Sequence, residues 1–150
     1  MSRVRGKNTK LEIAIRKRLF AFGLRYRLHS INLPGKPDLT LNKYKTAIFF
    51  NGCFWHLHNC EFSSIPETRS LWWKRKLTAN RKRDRRNLKM LLSTGWRIVI
   101  VWECAIRKLH LAERAPKLDK ISCLIRDFLY SDKHYMEIDY IGKRLSPRKD

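Results

Sequence analysis

The sequence predicts an α/β domain in which a mixed central sheet is sandwiched between helices. Three observations predict it: apolar residues recur at helical spacing in three separate stretches, short apolar runs lie between them, and the order reads helix, strands, long helix, strand, helix. Strands alternating with helices require a sheet with both faces covered. At 150 residues, with no internal repeat or low-complexity linker, the chain reads as one domain. Residues 1–8 read as a basic N-terminal arm, and about 141–150, ending in IGKRLSPRKD, as a loose basic tail.

The first helix lies in NTKLEIAIRKRLFAFG, residues 8–23. Thr9 followed three residues later by Glu12 is capping-box spacing; Leu11, Ile15, Leu19 and Phe22 share one face, and Gly23 ends the run. LRYRLHS alternates as a strand does, LPGKPD is a turn, and DLTLN and KTAIFF form two strands joined at NKYK as a hairpin. Helical periodicity then runs from Glu67 to Ser93, just before Gly95. WRIVIVWE is a buried strand and KLDKISCLIRDFLY the last helix.

Charge narrows the function classes. The formal net charge is +21, from 34 Lys and Arg against 13 Asp and Glu. Such an excess strains the compact state by self-repulsion and calls for a polyanionic partner. Five Trp and five Tyr, without a long basic amphipathic helix, favour nucleic acid over a membrane surface. The start MSRVRGKNTK is no signal peptide, and no apolar run reaches the roughly 18 residues of a membrane span, so a soluble intracellular protein is expected. In that compartment four cysteines are ligands or buried thiols rather than disulfides.

The chemistry concentrates in NGCFWHLHNC, residues 51–60. Cys53, His58 and Cys60, with Cys104 after the apolar strand, suit a closed tetrahedral Zn2+ site, the alternative being ordinary buried thiols. His56 is then a candidate proton acceptor, or else a ligand in place of His58 or merely a surface histidine. Asp38 follows two stiffening prolines, and a hairpin brings its carboxylate beside the backbone carbonyl near Phe50, where the two can share Mg2+; the plain alternative is a cap or a solvated side chain. Glu12 is a capping-box partner, or a direct or indirect ligand of the same ion. The run NRKRDRRN, with Arg81, Arg83, Arg85 and Arg86, and the arm residues Arg3, Arg5 and Lys7, are suited to phosphates. Asp84 interrupts that run and is placed to orient an arginine or reach a base or catalytic group.

Read together, LPGKPDL, IFFNGCFWHLHNC, TRSLWWKRKLTANRKRDRRN and GWRIVIVWECA closely resemble the Vsr family, the very short patch repair endonucleases of bacteria, from about Met1 to Arg107. The resemblance implies a restriction-endonuclease-like fold and Mg2+-dependent nicking of one strand 5' of the mispaired T in a T:G mismatch. It implies a structural Zn2+ held by Cys53, His58, Cys60 and Cys104, with Asp38 and the Phe50 carbonyl as Mg2+ ligands. His56 matches the residue that activates water, and Glu12 an acidic residue implicated in catalysis. Phe54, Trp55 and Met1 match apolar wedges that enter the duplex beside the mismatch, where unstacking costs a few kcal/mol per step. Asn51 stands where the family often has a histidine that assists at the phosphate; an amide hydrogen-bonds an oxygen but does not shuttle a proton. Double-stranded T:G DNA is the implied partner, mismatch-repair factors are possible further partners, and a monomer in the bacterial cytoplasm, at the nucleoid when acting, is the implied setting.

Overall fold

The structure is a computed structural model, and it describes residue 7 and residues 9–148. Met1, Arg3 and Arg5, expected as wedge and phosphate contacts, lie outside the described residues. Helix α1 (Lys10–Ala21) is followed by β1 (Arg27–Leu28), β2 (Leu39–Leu41) and β3 (Thr46–Asn51). Then come α2 (Ser70–Ser93), β4 (Arg97–Trp102), the short α3 (Cys104–Arg107), α4 (Leu111–Leu129), β5 (Tyr135–Ile138) and β6 (Lys143–Arg144). The strands form one six-stranded sheet in the order β1-β2-β3-β4-β5-β6. Pairing is antiparallel from β1 to β3, parallel for β3–β4 and β4–β5, and antiparallel for β5–β6.

The apolar runs of β3 and β4 exist because both faces of the sheet are covered. Ile48, Val99 and Val101 pack with Leu11, Ile15 and Leu19 of α1 and Ile121, Ile125 and Phe128 of α4. Their neighbours of opposite orientation, Ala47, Phe49, Ile98 and Ile100, form a second core with Leu91 of α2. The expected mixed α/β sandwich is therefore the observed one. Among the described residues no helix is long and apolar enough to cross a membrane.

Several boundaries differ from the sequence reading. Thr9 caps α1 by accepting from the Glu12 N–H at 3.2 Å, as its spacing predicts. The helix ends at Ala21, however, so Phe22 leaves the apolar face and is 39% exposed beneath the Arg126 guanidinium. Helix α2 begins at Ser70 rather than Glu67, after Arg69 in the left-handed region at φ 56°. Helix α4 starts ahead of Pro116, because the reciprocal capping box of His110 and Glu113 supports its exposed first turns.

The main correction concerns the C-terminus. The segment expected to be a loose tail contains β6, which pairs with β5, and its Arg148 side chain is tied to Asp139 at 2.5 Å. Basic residues read as solvated because their partners, Glu137 in β5 and Asp139 just after it, are each only 4% exposed, and the sequence reading did not find that strand.

Candidate active site and metal centre

The β2–β3 hairpin builds the first half of the site. Its approach turns at Gly35, in the left-handed region at φ 77°, with the Phe49 ring and Asn87 so close that an added Cβ would meet them at 3.2 and 3.4 Å. Asp38 then enters the sheet: its N–H donates to the Ile48 carbonyl at 3.0 Å, and its Oδ2 accepts from the Phe50 N–H at 2.8 Å. Asp38 and Phe50 are thus adjacent as expected, although the group Phe50 turns to the carboxylate is its N–H.

Two further donors converge on Asp38. Glu12, 1% exposed, comes from the first turn of α1, and His29 from the end of β1. The donor atoms of Glu12, His29 and Asp38 all lie within 4.8 Å of one another. His29 Nε2 is 3.6 Å from Glu12 and its Nδ1 is 4.0 Å from Asp38. Burial pushes the Asp38 carboxyl up to about 6, opposed by the Phe50 N–H and reinforced by the negative charge of Glu12. A buried and a partly buried carboxylate held this close suit a cation, which would offset their repulsion. His29 escaped the sequence reading because its position depends on a left-handed backbone, φ 49°, that no local signal announces.

The second half of the cleft comes from the loop after β3 and from α2. Asn51 and His56 line the same cleft as Asp38, with Asp84 opposite. His56 Nδ1 lies 2.6 Å from Asp84 Oδ2. The interruption in the basic run is therefore a partner for the loop histidine. Arg81, Asp84, Arg85 and Leu88 fall on one face of α2 and line the groove continuing from this cleft, whereas Arg83 and Arg86 are exposed. Lys7 is exposed, and its charge slightly lowers the Asp38 carboxyl.

The loop carrying His56 is braced on its other side. Cys53, His58, Cys60 and Cys104 place one ligand atom each within 4.8 Å of the others, so the four candidates come together and His56 is not among them. The loop closes through His58 N–H to the Cys53 carbonyl at 3.0 Å and Cys60 N–H to the His58 carbonyl at 2.8 Å, with Leu57 at φ 48°. A hydrogen bond from Cys53 holds the Cys104 thiol down to about 5 with help from His58, while the same bond and burial push Cys53 up. This Cys/His cluster has the donors to bind a metal.

Phe54 and Trp55, half-buried on the same loop, do not stand alone. Their rings meet Trp73 of α2 at 5.3 and 6.0 Å between centroids, and Trp72 continues the cluster at 4.7 Å from Trp73. The helical tryptophans thus back the pair expected to act as a wedge.

This architecture is that of the restriction-endonuclease-like fold. The catalytic domain of the homing endonuclease I-Bth0305I matches it with a TM-score of 0.50 at 20% identity, over 82% of this chain and 96% of that one. At the sequence level, the family model for DNA mismatch endonuclease Vsr matches residues 1–62. The Type II nicking enzyme V.XorIIP of Xanthomonas oryzae pv. oryzae is 42% identical over 75% of this chain and 83% of its own length. The DNA mismatch endonuclease Vsr of Escherichia coli is 40% identical over 71% of this chain and 69% of its own. The Type II nicking enzyme V.NmeAIP of Neisseria meningitidis is 41% identical over 85% and 87%. The chain belongs to the Vsr family and is a DNA endonuclease.

Proposed function

We propose that the protein nicks one strand of double-stranded DNA on the 5' side of the mispaired T in a T:G mismatch, using Mg2+, with Zn2+ bracing the loop that carries the catalytic histidine. The observation that carries this reading is the single cleft in which Asp38 faces the His56–Asp84 pair beside the Phe54–Trp55 cluster. Asp38, the Phe50 carbonyl and Glu12 would hold Mg2+, which when bound polarises a phosphodiester and stabilises the leaving oxygen. Asp84 holds His56 through Nδ1, so Nε2 is left to take a proton from the attacking water, and the carboxylate stabilises the imidazolium that forms. Asn51 donates a hydrogen bond to a phosphate oxygen. Phe54 and Trp55, supported from behind by Trp73, enter the base stack, where a mismatch has already lowered the cost of unstacking. Met1, Arg3 and Arg5 complete the grip from the arm.

Zn2+ fits the second cluster by chemistry and by dimension. Thiolates and an imidazole together favour zinc, and ordinary Zn–S and Zn–N bonds set a tetrahedral S···N edge of about 3.6 Å. Cys104 Sγ lies 3.6 Å from His58 Nδ1.

The test is to map nicks in T:G duplexes of varied flanks, with and without Mg2+, for the wild type and Asp38→Ala. The wild type nicks 5' of the T only with Mg2+, and the variant binds but does not nick; equal cleavage by both proteins contradicts the proposal. The relatives named Type II nicking enzymes favour a second reading, a nickase of the same fold with another target. Equal rates on mismatched and fully paired duplexes would select it. Tight binding without cleavage at any pH from about 6 to 9, the range over which an imidazole base is competent, would instead leave a DNA-binding module.

A further inference from the structure

The C-terminal segment lies beyond the stretch that carries the family resemblance, yet it reaches the metal centre. Trp102 stacks on the His58 ring at 4.2 Å between centroids and 21° between planes, so the ring is held flat from one side. Its Nδ1 faces Cys104, while its buried Nε2 has no hydrogen-bond partner among the described residues. Asp139 Oδ2 lies 3.6 Å from that orphaned atom. A histidine that ligates a metal through one nitrogen donates the other N–H to such a carboxylate, which selects the tautomer and the ring orientation.

Asp139 is itself held in place. Its Oδ1 accepts from the Ile141 and Gly142 N–H groups at 2.9 and 3.2 Å, and its Oδ2 accepts from Arg148 Nη2 at 2.5 Å. The same guanidinium donates from Nη1 to the Asn59 carbonyl, inside the metal loop, at 3.4 Å, and its Nε lies 3.9 Å from Glu137. Glu137 in turn accepts from the Trp102 indole N–H at 2.9 Å and from the Tyr135 hydroxyl. Arg148 therefore connects the loop, the carboxylate behind His58, and the strand whose Glu137 fastens the stacking tryptophan.

We propose that the C-terminal segment is a clasp on the metal centre, with Asp139 a positioning residue for His58 and Arg148 the bolt that holds Asp139 against the loop, so that the two together set how fast the metal leaves. The inference rests on the reading that Cys53, His58, Cys60 and Cys104 hold Zn2+.

The experiment loads the full-length chain with Zn2+ and follows release to a chromogenic chelator, at a temperature where circular dichroism shows every variant folded. Asp139→Asn and Arg148→Met should release zinc about 10–100-fold faster than the wild type, the range expected when the hydrogen-bond partner behind a ligand is lost. Arg148→Lys, which keeps the charge but loses the fork, should fall between. Ile125→Val, a mild destabilisation in the core on the other side of the sheet, should stay within about twofold, as expected where sites are independent. Release from both Asp139→Asn and Arg148→Met within that same margin overturns the clasp. Should Arg148→Met not fold, Asp139→Asn decides alone on the same threshold. A wild-type chain that takes up no zinc overturns the metal reading and the clasp with it, an outcome distinct from tight zinc that the variants do not loosen.

Discussion

Asp38 shows what a cation-binding carboxylate costs a fold. Burial, more than any other cause, pushes its carboxyl from the ordinary value of 3.8 up to about 6 in the folded protein. Between those values the folded state binds more protons than the unfolded one, so stability falls as pH rises from about 4 to 6 and stays lower above that. Replacing Asp38 by Asn removes the buried charge and leaves an oxygen to accept from the Phe50 N–H. Asp38→Asn should therefore be more stable than the wild type at pH 8 by about 2–3 kcal/mol, the two converging near pH 4, while nicking is lost. Urea midpoints across that range without divalent cation provide the check, and a variant less stable at pH 8 would contradict the account. The His56–Asp84 contact makes a different demand. Asp84→Asn should lower single-turnover nicking about 10²–10⁴-fold, as expected for a disabled base, with DNA affinity in Mg2+-free buffer little changed; a matching fall in affinity would make Asp84 a binding residue instead. Asp38, His56 and the four cluster residues were legible because their residue types are unusual where they stand. His29 and Asp139 were not, since one depends on a left-handed backbone and the other looks like any solvated aspartate until Arg148 and His58 close on it.

At the level of elements, α2 joins the core to the cleft and the surface. Leu77 and Leu91 are its fully buried side chains, and Leu91 sits in the core beneath the sheet. Asp84 and Leu88 turn to the cleft, Trp73 supports the loop aromatics, and Lys82, Arg83 and Arg86 face solvent. So polar a helix depends on few anchors, and Leu91→Ala should cost about 2–5 kcal/mol by lost transfer energy and an unfilled cavity. A thermal or urea melt measures it; a cost below about 1 kcal/mol would mean that the site collapses around the smaller side chain. The hairpin, β4 and the bodies of the helices were readable because periodicity reports burial directly. Strand β5 was not, because two of its polar groups, the Tyr135 hydroxyl and Glu137, satisfy each other inside the protein and break the apolar pattern. The start of α4 was hidden behind Pro116, which reads as a boundary but sits inside the helix, in its second turn, where it forgoes the bond to the Ala112 carbonyl.

For the whole molecule, the two cores lock the sheet between α1 with α4 on one side and α2 on the other, and the site opens at the end of the sheet where β3 runs out toward the Cys/His loop. The chain carries a net charge of +21, and no Lys or Arg among the described residues is buried. If that charge serves a DNA backbone, binding must release counterions, and the logarithm of the association constant should fall linearly with the logarithm of salt concentration, with a slope of about −0.9 per phosphate neutralised. A footprint of roughly 6–10 phosphates implies an affinity loss of about 10³–10⁵-fold between about 50 and 200 mM salt. Arg83 and Arg86, exposed on the outer face of α2, separate this role from stability. Changing both to Ala should reduce the slope by about 2 and weaken matched and mismatched duplexes alike, because phosphate contacts carry no sequence information. Melting should be almost unchanged, since substitutions at exposed sites usually stay within about 0.5 kcal/mol. Equilibrium titrations of both duplexes at several salt concentrations would show it. An unchanged slope would place the DNA on the groove lined by Arg81 and Arg85 and away from the outer face of the helix. A loss confined to the mismatched duplex would mean that these arginines read the lesion rather than the backbone.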